Sequence, residues 1–365
     1  MFGRKADNKE KERKTDMKKL LSLVLIALLV FSCGAFAEET PAWVREDPSS
    51  IGDRVVVYST LDDAQQQTVE AIWYKYYPDC TIEWISDSVG KLIARARGEV
   101  NNPQADVIMG GLFESDGTVY HDVLQQYTPT IADELSKVDP YGYYTFFDIQ
   151  YMALVVNEEL EAELGLTIDG YESLLDPALK GKIIQADPAA SSSAYRQFHT
   201  ILALMGDEFG DEKAWNYIDE LIQNCDGVIT TSSSTVFKSV ISGEYVVGLT
   251  YENIVEMQIT KNGADNIRLV YPKEGNTACA SGAGMVKDCP HYEAAAAFMD
   301  FCGSADYQLA RSEENCARGT NTTIKYGNYP DDSELGLVEI DWEWLGEQKE
   351  ALLEKWTEHW AEYAG

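Results

Sequence analysis

The chain has 365 residues, 45% hydrophobic and 11% aromatic, which suits two packed domains of ordinary size and excludes a largely disordered chain. It carries 29 basic against 61 acidic residues, a net charge of −32. That balance excludes a broad nucleic-acid surface and repels anions at long range until salt screens it; its plainest use is a solvated, soluble exterior.

The first 37 residues read as an export signal. Lys18-Lys19 supply a positive start, Leu20 to Val30 an apolar run too short for a comfortable membrane span, and Ala35-Phe36-Ala37 a small-x-small cleavage site. Residues 1–16 form a charged extension. Val30-Phe31-Ser32-Cys33 also reads as a loose lipobox, which leaves two fates open: cleavage after Ala37, or a lipid anchor on Cys33. Either puts the mature domain outside the cytoplasm. Beyond residue 37 the chain keeps 21 basic and 57 acidic residues, net −36.

Residues 38–52 form a polar linker with two prolines. Arg54–Tyr58 is a short apolar strand. A helix follows with Val69, Ile72, Trp73 and Tyr76 on one face, stopped by Pro78. Thr81–Ile85 predicts a strand, Ser86 to Gly90 a turn, Lys91 to about Val100 a helix, and Asp106–Met109 a strand that ends at Gly110-Gly111. This β-α-β-α-β order predicts a parallel sheet covered by helices. The apolar strand Tyr151–Asn157 lies in a first crossing, 145–157, into a second domain. That domain holds helices after Ser191–Ser193, around Trp215, Ile218 and Leu221, and after Thr230–Ser234, with a strand at Tyr245–Thr250. Ile267–Tyr271 reads as the return crossing. The predicted boundaries are 53–145 with 273–340 for lobe 1, 146–272 for lobe 2, and 341–365 for a C-terminal helical segment or helix pair, in which Trp356 and Trp360 share one packing face.

Six cysteines follow the signal: Cys80, Cys225, Cys279, Cys289, Cys302 and Cys316. An even number in an exported chain permits disulfides, and the cluster at 279–316 favours at least one local bridge, against the alternative of buried thiols. The lack of a CxxC pair argues against zinc.

One element recurs: an apolar strand ending in Ser, Thr or Gly, followed by a helix. It occurs at Ser59-Thr60, Ser86 to Gly90, Gly110-Gly111, Ser191–Ser193 and Thr230–Ser234. Any one such loop is ordinarily a helix cap. Five of them at strand carboxyl ends predict a cleft whose hydroxyls and free backbone N–H groups suit phosphate, phosphonate or carboxylate. Lys91, Arg196 and Lys238 stand beside these loops as candidate counter-charges, although such a residue just inside a helix is commonly solvated. Tyr251-Glu252, ending a strand, offers an aromatic and a carboxylate for the rest of a ligand. Catalytic signatures are absent: no GxSxG, HExxH or GxxxxGK[ST] occurs, and His199 reads as a packed or surface histidine. No catalytic residue, metal or cofactor is assigned.

The segments VVVYSTLDDAQQQTVEAIW, PQADVIMGG, LLDPALKGKIIQADPAASSSAY, TSSSTVFKSVISGEYVVGLTYE and YPKEG resemble the extracellular solute-binding proteins of ABC importers, in the group with ferric-ion, sugar-phosphate and 2-aminoethylphosphonate receptors. The resemblance spans about residues 53–320. It implies an α/β, two-lobed type II periplasmic-binding fold, each lobe a mostly parallel sheet flanked by helices, with two crossing segments. It further implies capture by hinge closure and delivery to a permease and its ATPase. A monomer is expected, touching membrane only if Cys33 carries the lipid anchor. Ferric receptors of the group carry paired tyrosines just past the glycine matching Gly248; Asn253-Ile254 stand there, and of such phenols Tyr251 alone remains. The expected ligand is therefore a small oxyanionic organic solute. The residues expected to hold it are Ser59, Thr60, Ser88, Gly111, Ser191, Ser192, Ser193, Tyr195, Ser232, Ser233, Tyr251 and Glu252. A ferric ion, a polyamine- or thiamine-like cation, and more remotely hydrolysis by an exported enzyme, are the alternatives.

Overall fold

The computed structural model describes residues 40–363; the export-signal reading lies outside them. Four strands and two helices in β-α-β order open the fold: β1 (Arg54–Ser59), α1 (Asp63–Tyr76), β2 (Thr81–Ser86), α2 (Val89–Gly98), β3 (Val107–Phe113) and the short β4 (Leu124–Gln125). β1 pairs in parallel with both β2 and β3, as consecutive crossover connections require. α1 starts at a reciprocal cap in which Asp62 and Gln65 satisfy each other's backbone N–H groups.

The next strand, β5 (Thr145–Asn157), is 13 residues long and belongs to both halves of the molecule. Its first part pairs antiparallel with β9 (Ala278–Val286), which in turn pairs with β3 and β4. Its second part pairs antiparallel with β7 (Val247–Tyr251) and β8 (Ile267–Val270), and β7 holds the two-residue β6 (Ile183–Ile184) in parallel. Along the sheet the order is β2-β1-β3-β9-β5-β7-β6. The outer pairings are parallel, and the crossing strands bring the antiparallel ones.

Lobe 1 packs α1, α2, α8 (Tyr292–Gly303) and α9 (Ala305–Asn315) on its sheet. Its core gathers Trp73, Phe298, Phe301, Tyr307 and the strand valines. Lobe 2 carries α3 (Glu158–Leu164), α4 (Ser192–Leu204), α5 (Glu212–Asn224), α6 (Ser233–Ile241) and α7 (Glu252–Thr260). The tail is one continuous helix, α10 (Trp342–Tyr363), and its Leu345 and Trp356 are buried in the lobe 2 core.

The disulfide expectation is corrected. Cys80, Cys225, Cys279, Cys289, Cys302 and Cys316 are all free and buried. They serve as small apolar core residues on separate elements. Burial pushes the Cys279 thiol up to about 11 and the Cys80, Cys225 and Cys289 thiols up to about 12.

Candidate binding cleft

The recurring strand-end loops converge on one cavity of about 680 Å³. From lobe 1 come Thr60, Gln65, Ser88, Gly110, Gly111, Phe113 and Arg311; from lobe 2 come Ser191, Ser192, Ser193, Arg196, Ser232, Ser233 and Tyr251. The crossing strands supply Asp148 and Gln150 from β5 and Ser281 from β9. Alternation along β5 explains the split. Ile149 and Tyr151, one step out of phase, line separate cavities on the other side.

Three helix N-termini open on the cavity. Ser191 caps α4 by accepting from the Ala194 N–H, while its Oγ lies 3.1 Å from Ser193 Oγ. Ser88 at α2 and Ser232 at α6 make no side-chain cap bond, which leaves first-turn N–H groups and hydroxyls for a ligand. The two serine loops of lobe 2 are tied together, since Asp187 N–H donates to the Thr230 carbonyl at 2.7 Å and Thr230 N–H to the Gln185 carbonyl at 3.1 Å. β3 runs through Gly110-Gly111 rather than stopping before them, with a register shift between Met109 and Leu112. Both glycines have positive φ (+80° and +71°), and a Cβ on Gly111 would meet Val89 Cβ at 2.9 Å. The shape of the cavity wall therefore needs glycine there.

The expected residues divide on this geometry. Thr60, Ser88, Gly111, Ser191, Ser192, Ser193, Ser232, Ser233 and Tyr251 line the cavity. Ser59, Tyr195 and Glu252 do not. Ser59 is fully buried and its Oγ accepts from the Leu61 N–H. Tyr195 is turned into the lobe 2 core, with Lys349 over its ring at 5.2 Å. Glu252 is 2% exposed and bound by Arg318 Nε at 2.8 Å and the Tyr271 hydroxyl at 2.5 Å, so it ties α7 to the segment after α9. Of the candidate cations, Lys91 turns to solvent and pairs with Asp87, and Lys238 is exposed. Arg196 turns inward.

The strongest electrostatic feature was partly missed by the sequence reading. Arg196 is 3% exposed, stacks on Phe113 across the lobes at 3.9 Å, and its Nε finds no acceptor among the described residues. Desolvation lowers its pKa, and no carboxylate pairs with it directly among the described residues. Arg311, 8% exposed, stacks on Phe147 at 4.8 Å and reaches Asp148 at 3.5 Å, while its Nη1 has no acceptor among the described residues. Asp148 in turn accepts from the Ser281 hydroxyl at 3.2 Å, and the Gln150 Oε1 has no donor among the described residues. Two guanidiniums, one per lobe, against a single carboxylate make the cavity floor cationic inside an acidic molecule. The sequence did hold a signal for Asp148 and Gln150, as polar residues at period two within the apolar run Phe146–Met152. Arg311 gave none; its helix looks like a surface helix.

His199 is fully buried behind this wall, against Trp342 and Tyr195, and does not line the cavity. Neither ring nitrogen has a partner among the described residues.

A two-lobed α/β receptor with an interlobe cleft is the class these features define. The chain belongs to the bacterial extracellular solute-binding protein family, whose profile matches residues 54–325. An uncharacterized protein of Haemophilus influenzae is 30% identical over 322 residues, covering 84% of this chain and 90% of that one. The periplasmic binding protein AfuA from Actinobacillus pleuropneumoniae, solved with fructose-6-phosphate bound, superposes with a TM-score of 0.72 at 26% identity, covering 84% and 98% of the two chains. Iron-bound HitA from Pseudomonas aeruginosa superposes with a TM-score of 0.70 at 17% identity, covering 84% and 99%. The chain is thus the extracytoplasmic solute-binding component of an ABC importer, a class that hands small ligands to a permease and its ATPase. Its homologues are transport receptors rather than enzymes.

Proposed function

We propose that this receptor captures a small organic solute bearing a phosphate- or phosphonate-type group. The observation that carries the reading is the pair Arg196 and Arg311: two buried guanidiniums, from different lobes, each with an N–H lacking an acceptor among the described residues. A buried cation without a partner is costly, and an anion arriving between the lobes relieves both sites at once. The hydroxyls and helix N-termini around them supply the remaining donors that three phosphoryl oxygens accept. Gln150 and Asp148 add acceptors for ligand hydroxyl or ammonium groups. The fructose-6-phosphate bound by AfuA is a solute of this description.

The lobes, taken as 53–145 with 273–340 and as 146–272, would close about the crossing strands. Thr60, Ser88, Gly111 and Ser191–Ser193 with Ser232 and Ser233 would hold the anionic head beside the two arginines, and Tyr251 would face the remainder. The ferric alternative draws on HitA. Among the described cavity residues, however, one phenol and one already paired carboxylate stand where a ferric ion needs several anionic oxygens.

The test is calorimetric titration of protein stripped of ligand by unfolding and refolding. The probes are fructose 6-phosphate, glycerol 3-phosphate, 2-aminoethylphosphonate, ferric citrate and putrescine. Binding of a phosphate ester or a phosphonate, weakened about 10- to 150-fold in Arg196→Met, is the expected result. Binding of ferric ion alone, with a tyrosinate absorption band, or of putrescine alone, overturns it.

A further inference from the structure

The C-terminal helix lies beyond the stretch that the family profile matches, yet it touches both lobes. On lobe 2 it is part of the core. Trp356 is 2% exposed and packs on Phe198 at 5.4 Å, Lys355 lies over the Trp215 ring at 4.1 Å, and His359 meets Asp219 at 2.5 Å. Trp356 Nε1 also donates to Asp187 Oδ1 at 3.2 Å. Asp187 starts the serine loop, where its carbonyl accepts from Ala190 and Ser191.

At the other end the helix meets lobe 1 at the turn after β3. Gly346 and Gly117 let two backbones approach closely: a Cβ on Gly346 would fall 3.0 Å from the Asp116 carbonyl oxygen, and one on Gly117 3.2 Å from the Glu343 Cα. Lys349 Nζ reaches the buried Asp116 carboxylate at 3.3 Å, and the Tyr141 hydroxyl donates to Glu343. β3 itself lines the cleft with Gly110, Gly111 and Phe113.

A 22-residue helix is a rigid rod of about 33 Å. Rooted by apolar packing in lobe 2 from Leu345 to Trp356, it must slide or detach at its contacts with lobe 1 when the lobes rotate apart. We infer that the C-terminal helix is a latch: fixed to lobe 2 through Trp356, it fastens to lobe 1 through Lys349 and Asp116 and so resists opening of the ligand-free cleft. This inference does not depend on which ligand is bound.

The experiment measures the separation of the lobes directly. Spin labels are placed at two exposed positions, on α2 and α6, through Ala94→Cys and Lys238→Cys. The six described native thiols are buried and stay unlabelled. Distances are recorded by pulsed electron resonance on ligand-free, full-length protein carrying Cys33→Ser. With Lys349→Met added, the distribution is expected to broaden and its mean to lengthen by more than about 2 Å, the scale of a domain rearrangement. Asp116→Asn, which can still accept from the Phe113 N–H, reads the same quantity should the first variant fail to fold. Distributions identical to the parent in the folded variants overturn the latch.

Discussion

Arg196 and Arg311 look alike in the cleft but differ in what they leave behind. Replacing Arg196 with Met removes a buried, desolvated cation that makes no ion pair among the described residues, so the ligand-free protein should melt as high as the parent or higher. Its affinity for a phosphate ester should fall about 10- to 150-fold, the loss of one charged hydrogen bond. Replacing Arg311 with Met strands the buried Asp148 carboxylate and should cost about 3–5 kcal/mol. Calorimetry and melting curves on the two variants check both statements; equal melting points would contradict them. His199 gives a pH prediction. Burial, helped by Arg196 and Lys349, lowers its pKa from 6.5 to about 3. The neutral ring is therefore required for folding, and its contribution is intact above pH 6.5. It falls away on acidification by about 1.4 kcal/mol per unit until the pH nears 3. His199→Phe should show a melting point that declines less between pH 7 and 4, by about one proton's share.

The loops that line the cavity were legible because each one has a local reason: a strand ends, a helix begins, and Ser, Thr or Gly must mark the join. Ser191 and Ser232 announce themselves this way. Glu252 misled because its neighbour Tyr251 does face the cavity, while the first turn of α7 rotates the carboxylate toward Arg318, 66 residues away in sequence. Tyr195 misled for a similar reason, since only a contact with the tail, at Lys349, shows which way its ring points. Long-range pairings of this kind leave no periodic trace. The Gly110-Gly111 segment makes a sharper demand on its sequence than the serine loops do. Gly111→Ala places a methyl against Val89 and Thr60 at positive φ, and should cost at least about 1–2 kcal/mol while narrowing the cleft. Reduced melting temperature together with weakened binding is the expected pair of readings; unchanged affinity would show that the bulge does not shape the site.

At the level of the molecule, the order of strands and helices foretold the α/β receptor fold; the segment read as the return crossing, 267–271, instead forms β8, which pairs only with the lobe 2 part of β5, and β9 is the strand that rejoins the lobe 1 sheet. The cysteines did not yield to the same reasoning, because an even number in an exported chain describes a permission rather than a geometry. With the six described thiols buried, a thiol reagent should label almost none of them in the native state and all six after denaturation. A count near four after denaturation without reductant would reveal a bridge among them.

The place of β9 in the sheet also fixes an order of assembly. The strands of lobe 2 lie in one unbroken stretch of chain, with only α10 added later, whereas the sheet of lobe 1 lacks the strand between β3 and β5 until residues 278–286 arrive, after every strand of lobe 2. A chain emerging from its export channel amino end first completes the sheet of its second lobe before that of its first. The earlier segment then waits with the edge of β3 unpaired, and that edge is the one most exposed to association with other chains.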